Sequence, residues 1–334
     1  MTLLKPPASD TTGKLQVLSL AGGGFMGLFT AEVLGGLEQR LKGTTFYETT
    51  DLFAGTSVGA LIALGLAAGK RPSDIVDAMK NSGEKIFPPD TGLAGAHWLL
   101  EVALKRATKP KFSADPLKAV IVGLVGDLQM GDLKRRALVP AVDLTSGTAR
   151  LFRGGIDGPD AELLVCDVAL ASAAAPSYFP IQDVAGGLFA DGGLIANAPD
   201  VAAAVEALEP MMGRRGQVRM LAIGTTLYAA GVAKGTIERD AGLKHWAPLL
   251  IKHSMAGQVE LSRQLARTLL GAEKFLLVDP IRTSEQDKVL SLDKAGGPAT
   301  ETLSSIASAE LQRLDSAQEC VEFINAWKLH KPVM

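Results

Sequence analysis

The amino-acid sequence predicts an α/β fold of three layers, with helices on both faces of a mostly parallel central sheet and one inserted helical cap. Two observations carry this prediction. Short apolar segments alternate with helical patterns from residue 14 onward, which is the order of a βαβ unit. The second helix of that unit is apolar on all sides, so we expect it to be buried between other elements.

The first four predicted elements define the parallel core. Each strand is a short apolar run, and each helix follows directly after a glycine-containing turn. In order they are a strand at 14–20, a helix at 28–42, a strand at 51–55 and a helix at 58–69. Since a strand, a crossover helix and a second strand pack most readily in parallel, we expect the sheet to begin parallel.

The remaining elements extend the sheet after an interruption. Residues 84–136 are rich in loops and basic residues, and we predict that they form the inserted cap. Beyond it the sequence predicts paired strands at 135–145 and 149–154, a helix at 166–180 that prolines end, a strand and turn at 186–200, a helix at 201–209, and strands at 218–226 and 274–280. Residues 227–334 are mainly helical, residues 1–13 are a flexible leader, and residues 14–334 are one domain.

Bulk composition narrows the class of protein. The chain has 334 residues, of which 47% are hydrophobic and 21% charged, as in ordinary globular proteins. Its net charge of −2 does not favour binding to a nucleic-acid polymer. Cys166 and Cys320 lack metal-ligand spacing, which is typical of free thiols in a reducing compartment. The longest apolar run, 58–69, is shorter than the roughly 20 residues that span a bilayer. We therefore expect a cytoplasmic protein without a metal.

A serine lies at the junction between the second predicted strand and its helix. The stretch reads GTSVG, with Gly55 and Gly59 on either side of Ser57. A serine nucleophile presented on such a turn needs small neighbours, because larger side chains would collide there. The helix amino terminus also favours developing negative charge. The alternative is an ordinary helix cap. We favour a nucleophile, because a strand and a helix stand where this motif requires them.

Consecutive glycines follow the first predicted strand, in the stretch AGGGFMG at 21–27. Their backbone N–H groups can converge on a phosphate or on the oxyanion of an acyl-transfer intermediate. A dinucleotide site would need an acidic residue at the end of the second strand, where this sequence has GTSVG instead. We therefore predict an oxyanion hole at Gly22, Gly23 and Gly24, with Gly23 and Gly24 as the main donors.

Two kinds of base can serve Ser57. A Ser–Asp–His order is satisfied by Asp143 or Asp191 followed by His245 or His253, although these histidines lie in an amphipathic helical pattern. Asp191, in the stretch FADGG, instead follows an apolar strand, so it is expected at the same sheet edge as the serine. A buried carboxylate can accept a serine proton directly. We favour Asp191, and the histidine triad stays open as an alternative.

Together these stretches resemble the patatin-like phospholipases. GGGFMG corresponds to that family's glycine-rich loop, GTSVG to its nucleophile elbow, and DGG at 191–193 to its aspartate motif. The resemblance implies a patatin-like fold and hydrolysis of lipid acyl esters by a Ser–Asp dyad, with no histidine, metal or cofactor. It implies that Ser57 is the nucleophile and Asp191 the base, supported by Gly27, Gly55, Gly59, Gly192 and Gly193.

Two residues depart from the family pattern. Met26 stands where the glycine-rich loop usually carries a basic residue, which puts in question either how that loop is fixed or a contact to substrate phosphate. Ala198 stands at a position that is often asparagine, beside Asn197. Neither departure predicts an inactive enzyme.

Within the family, the stretch DLKRRALVPAVDLTSGTARLF resembles the phospholipase effectors of cyclic-oligonucleotide antiphage signalling. This likeness implies a membrane phospholipid substrate, action at the inner membrane surface, and activation by a cyclic dinucleotide such as cGAMP. Basic residues of the cap can bind the phosphates of the cyclic dinucleotide, namely Lys105, Arg106, Lys109 and Lys111. The alternative is that these residues form an ordinary solvated surface. The sequence is also compatible with a homo-oligomer. Two other functions stay open: a soluble esterase with a histidine triad, and a nucleotide-binding regulator without hydrolysis.

Overall fold

The computed structural model describes residues 15–89, 108–156, 158–209, 217–226 and 242–332. The predicted leader (1–13) and residues 90–107 of the predicted cap lie outside these ranges. Strands are β1 Leu15–Leu20, β2 Leu52–Gly55, β3 Arg136–Asp143, β4 Thr148–Gly154, β5 Gln182–Val184, β6 Gly187–Asp191, β7 Val218–Ile223 and β8 Phe275–Val278. Helices are α1 Gly27–Arg40, α2 Phe46–Thr49, α3 Val58–Ala67, α4 Pro72–Ile86, α5 Asp115–Val125, α6 Val165–Ser172, α7 Gly193–Ala196, α8 Asp200–Leu208, α9 Leu243–Leu270, α10 Ser284–Val289, α11 Gly297–Ser316 and α12 Gln318–Lys328.

The described strands form one mixed sheet. Its order is β5-β6-β3-β2-β1-β7-β8, and β4 pairs with the other edge of β3. β1 pairs in parallel with β2 and β7. β2 also pairs in parallel with β3, and β7 pairs in parallel with β8. The remaining pairs, β3–β4, β3–β6 and β5–β6, are antiparallel. The predicted parallel core is therefore confirmed, with an antiparallel extension at one side.

Alternating side chains along the central strands feed two separate cores. Leu18 and Leu20 of β1 face a large cluster formed with α1, α3, α4 and α11. Val17 of β1 and Ala54 of β2 face a smaller cluster formed with α8 and α9. Because successive strand residues point to opposite faces, one apolar strand requires helices on both sides. This gives the three layers that the sequence predicts.

Two predicted boundaries differ most clearly from the structure. The helix predicted at 166–180 ends at Ser172, because Pro176 cannot continue a helix and also constrains the residue before it. The residues that follow turn toward the sheet, and Gln182–Val184 adds a strand that the sequence analysis did not predict. Helix α4 continues to Ile86, so the predicted start of the cap at residue 84 lies inside a helix.

The described part of the predicted cap packs onto the same face as α4. Helix α5 contacts α4 and α6. The ring of Phe112, which precedes α5, lies 5.4 Å from that of Phe87 and 5.8 Å from that of Phe179, measured between centroids. Such aromatic contacts stabilise the packing beyond the area they bury. They help to hold α5 beside α3 and α4.

Candidate active site

Ser57 lies at a sharp turn between β2 and α3. Its backbone has φ 55° and ψ −124°, a conformation that residues with side chains rarely adopt. A Cβ added at Gly55 would overlap the carbonyl oxygen of Gly59, and one added at Gly59 would overlap that of Leu20. The turn therefore requires both glycines, and it places the serine at the amino end of α3.

The side chains of Ser57 and Asp191 are in direct contact. Ser57 Oγ donates a hydrogen bond of 2.8 Å to Asp191 Oδ2. The other carboxylate oxygen, Oδ1, accepts the Gly193 N–H at 2.6 Å. Asp191 is 6% exposed, so its orientation is fixed by these two bonds and by the surrounding backbone. The arrangement can pass a proton from hydroxyl to carboxylate.

The two residues meet because their strands run toward each other along one edge of β3. The first half of β3 pairs with β2 in parallel, up to Ala54 opposite Leu138. The second half pairs with β6 in the antiparallel sense, with Asp191 opposite Ala141. Since β4 occupies the other edge of β3 throughout, β2 and β6 share the remaining edge. Both strands end beside Pro140, and the hydroxyl and carboxylate project from those ends.

Burial makes the Asp191 carboxylate more basic than an exposed one. It raises the pKa of Asp191 to about 6, while the hydrogen bonds from Gly193 and Ser57 oppose that rise without cancelling it. The carboxylate is thus ionised at neutral pH but holds a proton far better than an exposed aspartate does. These are the properties of a general base.

We expect the reactivity of Ser57 to fall as Asp191 is protonated. Labelling by a fluorophosphonate should decline about tenfold per pH unit below about pH 6, since only the ionised carboxylate can take the serine proton. The measurement is the second-order labelling rate against pH, with His253→Ala as control. An acid limb that disappears when His253 or His245 is replaced would contradict the expectation.

The glycine-rich stretch after β1 forms one wall beside Ser57. The Gly22 N–H donates to the carbonyl oxygen of Asn197 at 2.9 Å, so this amide is already committed. Gly23 and Gly24 line the pocket that contains Ser57. Gly24 has φ +57°, and a Cβ there would overlap the carbonyl oxygen of Leu292. Of the three glycines predicted as oxyanion donors, Gly22 thus uses its N–H in a structural hydrogen bond, and the roles of Gly23 and Gly24 stay predictions.

The pocket that opens from Ser57 is apolar and has a volume of about 200 Å³. Both Ser57 and Asp191 lie on its wall, and so do Gly23 and Gly24. The side chains farther in come from α3, α4, α5 and the segment after α6, and include Leu61, Met79, Ile86, Leu117, Val120, Ile121 and Phe179. A hydrocarbon chain is the ligand chemistry that such a lining favours.

A family model described as "Patatin-like phospholipase" matches residues 18–203, which is more than half of the chain. The chain belongs to the patatin-like phospholipase family. The matched range begins within β1 and ends within α8. Of the described residues that line the pocket, Met255 and Leu292 lie outside it.

Relatives of this patatin-like phospholipase extend the similarity along most of its length. A Pseudomonas aeruginosa protein named "cGAMP-activated phospholipase" is 35% identical over 301 residues, which cover 89% of this chain and 88% of the relative. A protein of the same name from Escherichia coli is 30% identical and covers 87% of both chains. Another, from Vibrio cholerae, is 28% identical over 90% of this chain and 91% of its own.

Met26, which departs from the family pattern, lies beside a buried arginine. The Nη1 atom of Arg282 is 3.0 Å from Met26 Sδ, and its Nη2 is 3.0 Å from Asp287 Oδ1. The Arg282 side chain is only 6% exposed. A cation therefore does reach the glycine-rich loop of this patatin-like phospholipase, from a position 256 residues farther along the chain. The sequence analysis did not identify it.

The histidines do not take the place of Asp191 in the described residues. His330 Nε2 lies 2.6 Å from Asp51 Oδ2, at the start of β2 and thus away from Ser57. His253 is partly buried on α9, while His97 and the side chain of His245 lie outside the described residues. Within the described ranges, the hydroxyl of Ser57 hydrogen-bonds to a carboxylate and to no imidazole.

Asp143, the other carboxylate considered for a triad, accepts backbone hydrogen bonds in a turn. Its Oδ1 accepts the N–H groups of Thr145 at 2.8 Å and Ser146 at 3.2 Å. The hydrogen bonds from Ser146 and Thr145 lower the pKa of Asp143. Asp143 therefore stabilises the turn between β3 and β4.

Of the four basic residues predicted to meet phosphates, two can be located. Lys105 and Arg106 lie outside the described residues. Lys109 is exposed, whereas Lys111 Nζ forms an ion pair of 2.6 Å with Asp293 Oδ2. Asp293 follows Leu292, whose carbonyl oxygen accepts the Phe25 N–H of the glycine-rich loop at 2.8 Å.

Two further polar residues support the site, and the sequence analysis did not identify either. Ser172 Oγ accepts the Ser57 N–H at 3.0 Å and donates to the carbonyl oxygen of Pro140 at 2.7 Å. Thr225 Oγ1 donates to the carbonyl oxygen of Gly22 at 3.0 Å. Both follow unremarkable apolar stretches, so no local pattern distinguishes them from ordinary buried hydroxyls.

The structure also bears on metals and membranes. Among the described residues, no group of three or more histidine, cysteine or acidic side chains is arranged to hold a metal ion. In the same residues, none of the helices combines the length and the apolar character needed to cross a bilayer.

Proposed function

We propose that this protein is a phospholipase A-type lipid acyl hydrolase in which Ser57 is the nucleophile and Asp191 the general base. The observation that carries the proposal is the 2.8 Å hydrogen bond between Ser57 Oγ and Asp191 Oδ2 on the wall of an apolar pocket. A buried carboxylate of raised pKa beside the hydroxyl is the activation that a serine nucleophile needs.

In the first step Ser57 Oγ attacks the carbonyl carbon of a fatty-acyl ester while its proton passes to Asp191 Oδ2. The carbonyl oxygen becomes an oxyanion, which the N–H groups of Gly23 and Gly24 and the amino end of α3 stabilise. The ester C–O bond then breaks, and the leaving alcohol takes the proton from Asp191. The acyl group remains on Ser57.

In the second step Asp191 accepts a proton from water, and the resulting hydroxide-like oxygen attacks the acyl-serine carbonyl. Collapse of the second intermediate breaks the bond to Ser57 Oγ, and the proton on Asp191 returns to that oxygen. The fatty acid leaves and the hydroxyl is restored. The same carboxylate thus acts as base and then as acid in both halves.

We further propose that a cyclic dinucleotide such as cGAMP switches the enzyme on, and that it degrades the cell's own membrane from the cytoplasmic side during antiphage defence. The bacterial relatives named "cGAMP-activated phospholipase" support this choice of activator. The basic segment that ends at Lys111 supports its location, since Arg and Lys are the usual partners of phosphates. Through Asp293 and Leu292, a ligand at this segment is connected to the glycine-rich loop.

The test is fatty-acid release from vesicles of phosphatidylethanolamine and phosphatidylglycerol, with and without a panel of cyclic dinucleotides. We expect release with cGAMP and little release without it, and none from Ser57→Ala. If fatty-acid release were the same without nucleotide and with each nucleotide of the panel, activation by a cyclic dinucleotide would be ruled out. Tight binding of cGAMP by a protein that neither releases fatty acid nor reacts with a fluorophosphonate would instead favour the non-catalytic regulator.

A further inference from the structure

The turn that follows Asp191 connects the parts of the site. In this segment, residues 192–197, the Gly193 N–H donates to Asp191 Oδ1 at 2.6 Å. The carbonyl oxygen of Asn197 accepts the Gly22 N–H of the glycine-rich loop at 2.9 Å. We call residues 192–197 the aspartate turn. Its position therefore affects both the carboxylate and the glycine-rich loop.

The aspartate turn also contacts the nucleophile elbow. Thr56 Oγ1, one residue before Ser57, donates to the carbonyl oxygen of Ala196 at 2.6 Å. A Cβ added at Gly192 would overlap the carbonyl oxygen of Pro140, so the turn is also pressed against β3. Serine, carboxylate and glycine-rich loop thus all depend on where this one short segment lies.

A single glutamine holds the aspartate turn from the opposite side. Gln258, partly buried on α9, accepts the Asn197 N–H at its Oε1 at 3.0 Å. Its Nε2 donates to the carbonyl oxygens of Gly193 and Leu194, each at 3.2 Å. The side-chain amide therefore satisfies backbone groups near both ends of the turn at once.

We propose that Gln258 is a positioning residue for the reaction, which holds the aspartate turn so that the Gly193 N–H meets Asp191 Oδ1. The inference rests on the proposed function, in which Asp191 is the base. Gln258 acts through Gly193, whose N–H touches the carboxylate and whose carbonyl oxygen touches Gln258. It is a part of the site that lies outside the matched family range.

The chemistry of the contact requires a carboxamide. Only a side chain with one acceptor and two N–H donors on a planar end can accept from Asn197 and donate to two carbonyl oxygens. Methionine has nearly the same length and shape but no donor. Glutamate keeps the acceptor, loses both donors and brings a negative charge toward two carbonyl oxygens.

Loss of this contact should change the pH at which labelling declines, and a residue that only stabilised the fold would not change that pH. The pKa of Asp191 responds to burial and to the hydrogen bonds from Gly193 and Ser57, and no charged side chain in the described ranges contributes. The titratable residues of α9 nearest to Gln258 in sequence are Glu260, His253 and Arg263, and none of them is among those causes. Arg263 is paired with Asp279 instead. Weakening the Gly193 bond should therefore raise the pKa of Asp191 and move the acid limb to higher pH.

The experiment compares Gln258→Met and Gln258→Glu with Gln264→Met, the matched control. Gln264 is exposed on the same helix and donates to Glu260 at 2.7 Å, away from the site. The full-length protein, with cGAMP present, is labelled with a fluorophosphonate between pH 5 and 9, and vesicle hydrolysis is followed in parallel. The labelling rate constant is measured for the folded protein. Any unfolded protein is measured separately, as the fraction that stays unlabelled at the end of the reaction.

For Gln258→Met we expect the plateau rate to fall about tenfold and the acid limb to rise by roughly 0.5 pH unit. Gln258→Glu should shift the limb at least as far, because its charge adds to the effect. Gln264→Met should match the wild type. A lowered rate with an unmoved limb in both variants, or no change in either, would overturn the inference. A wild type that does not label at all would instead overturn the proposed function.

Discussion

Replacing Ser57 by alanine or Asp191 by asparagine is expected to lower fatty-acid release by about 10⁴-fold or more, the scale seen when a nucleophile or its partner is removed. Ser57→Ala removes the attacking oxygen. Asp191→Asn leaves an amide of the same shape that cannot accept the proton which Ser57 Oγ now donates at 2.8 Å. The measurement is cGAMP-dependent release from phospholipid vesicles, with fluorophosphonate labelling as a second readout.

The loss in Asp191→Asn should not come from unfolding. Burial raises the pKa of Asp191 to about 6 in the folded protein, so above that pH the ionised carboxylate destabilises the fold relative to a neutral group. A neutral amide removes a penalty of up to about 3 kcal/mol, so the Tm at pH 8 should be unchanged or higher.

The matched control for this substitution is Asp183→Asn. Asp183 is exposed on the neighbouring strand β5 and accepts the Gly186 N–H at 3.1 Å. It should keep wild-type activity. Full activity in Asp191→Asn, or a complete loss in a His253→Ala or His245→Ala variant, would contradict the dyad and favour a histidine triad.

Gly24→Ala is expected to lower kcat/KM by about 10² to 10³-fold, the range measured when one oxyanion donor is lost. Gly24 has φ +57°, where a side chain costs about 1 kcal/mol, and a Cβ there would overlap the carbonyl oxygen of Leu292. That oxygen also accepts the Phe25 N–H at 2.8 Å. The loop must therefore move, and its amides move with it.

The control for Gly24→Ala is Gly35→Ala in α1. A Cβ at Gly35 meets only Pro72 Cβ at 3.8 Å, an ordinary contact, and alanine is the better helix former by about 1 kcal/mol. This variant should be active and slightly more stable. Activity within about threefold of wild type in Gly24→Ala, at an unchanged Tm, would remove Gly24 from the oxyanion hole.

Much of the fold could be predicted because its parallel core leaves local patterns. Short apolar strands and glycine-bounded turns mark β1, β2 and β7, and the apolar helix α3 indicates burial on all sides. The antiparallel side left weaker patterns. β5 has only three residues, and no periodicity can be recognised over so short a segment.

The site was predictable where its backbone is unusual. Gly55 and Gly59 mark the turn that carries Ser57, and Gly24 marks the turn of the glycine-rich loop. A Cβ at any of these three glycines would overlap backbone atoms. Supporting residues such as Gln258 and Arg282 give no such sign. Each contacts the site across a long stretch of sequence, and a glutamine on an amphipathic helix looks the same whether it holds a catalytic turn or faces water. The meeting of Ser57 and Asp191 was expected from strands ending at one edge, whereas the structure achieves it with opposed strands.

The opposed approach of β2 and β6 along β3 means that Ser57 and Asp191 meet only when both strands have paired with β3 in the correct register. Since each strand residue advances the chain by about 3.3 Å, a two-residue slip of either strand would part hydroxyl and acid by about 7 Å, and a one-residue slip would turn Asp191 to the other face. The two groups are separated by 134 residues and come together only on a third strand that supplies neither. A chain in which either strand has not yet paired with β3 therefore lacks the contact between Ser57 Oγ and Asp191 Oδ2.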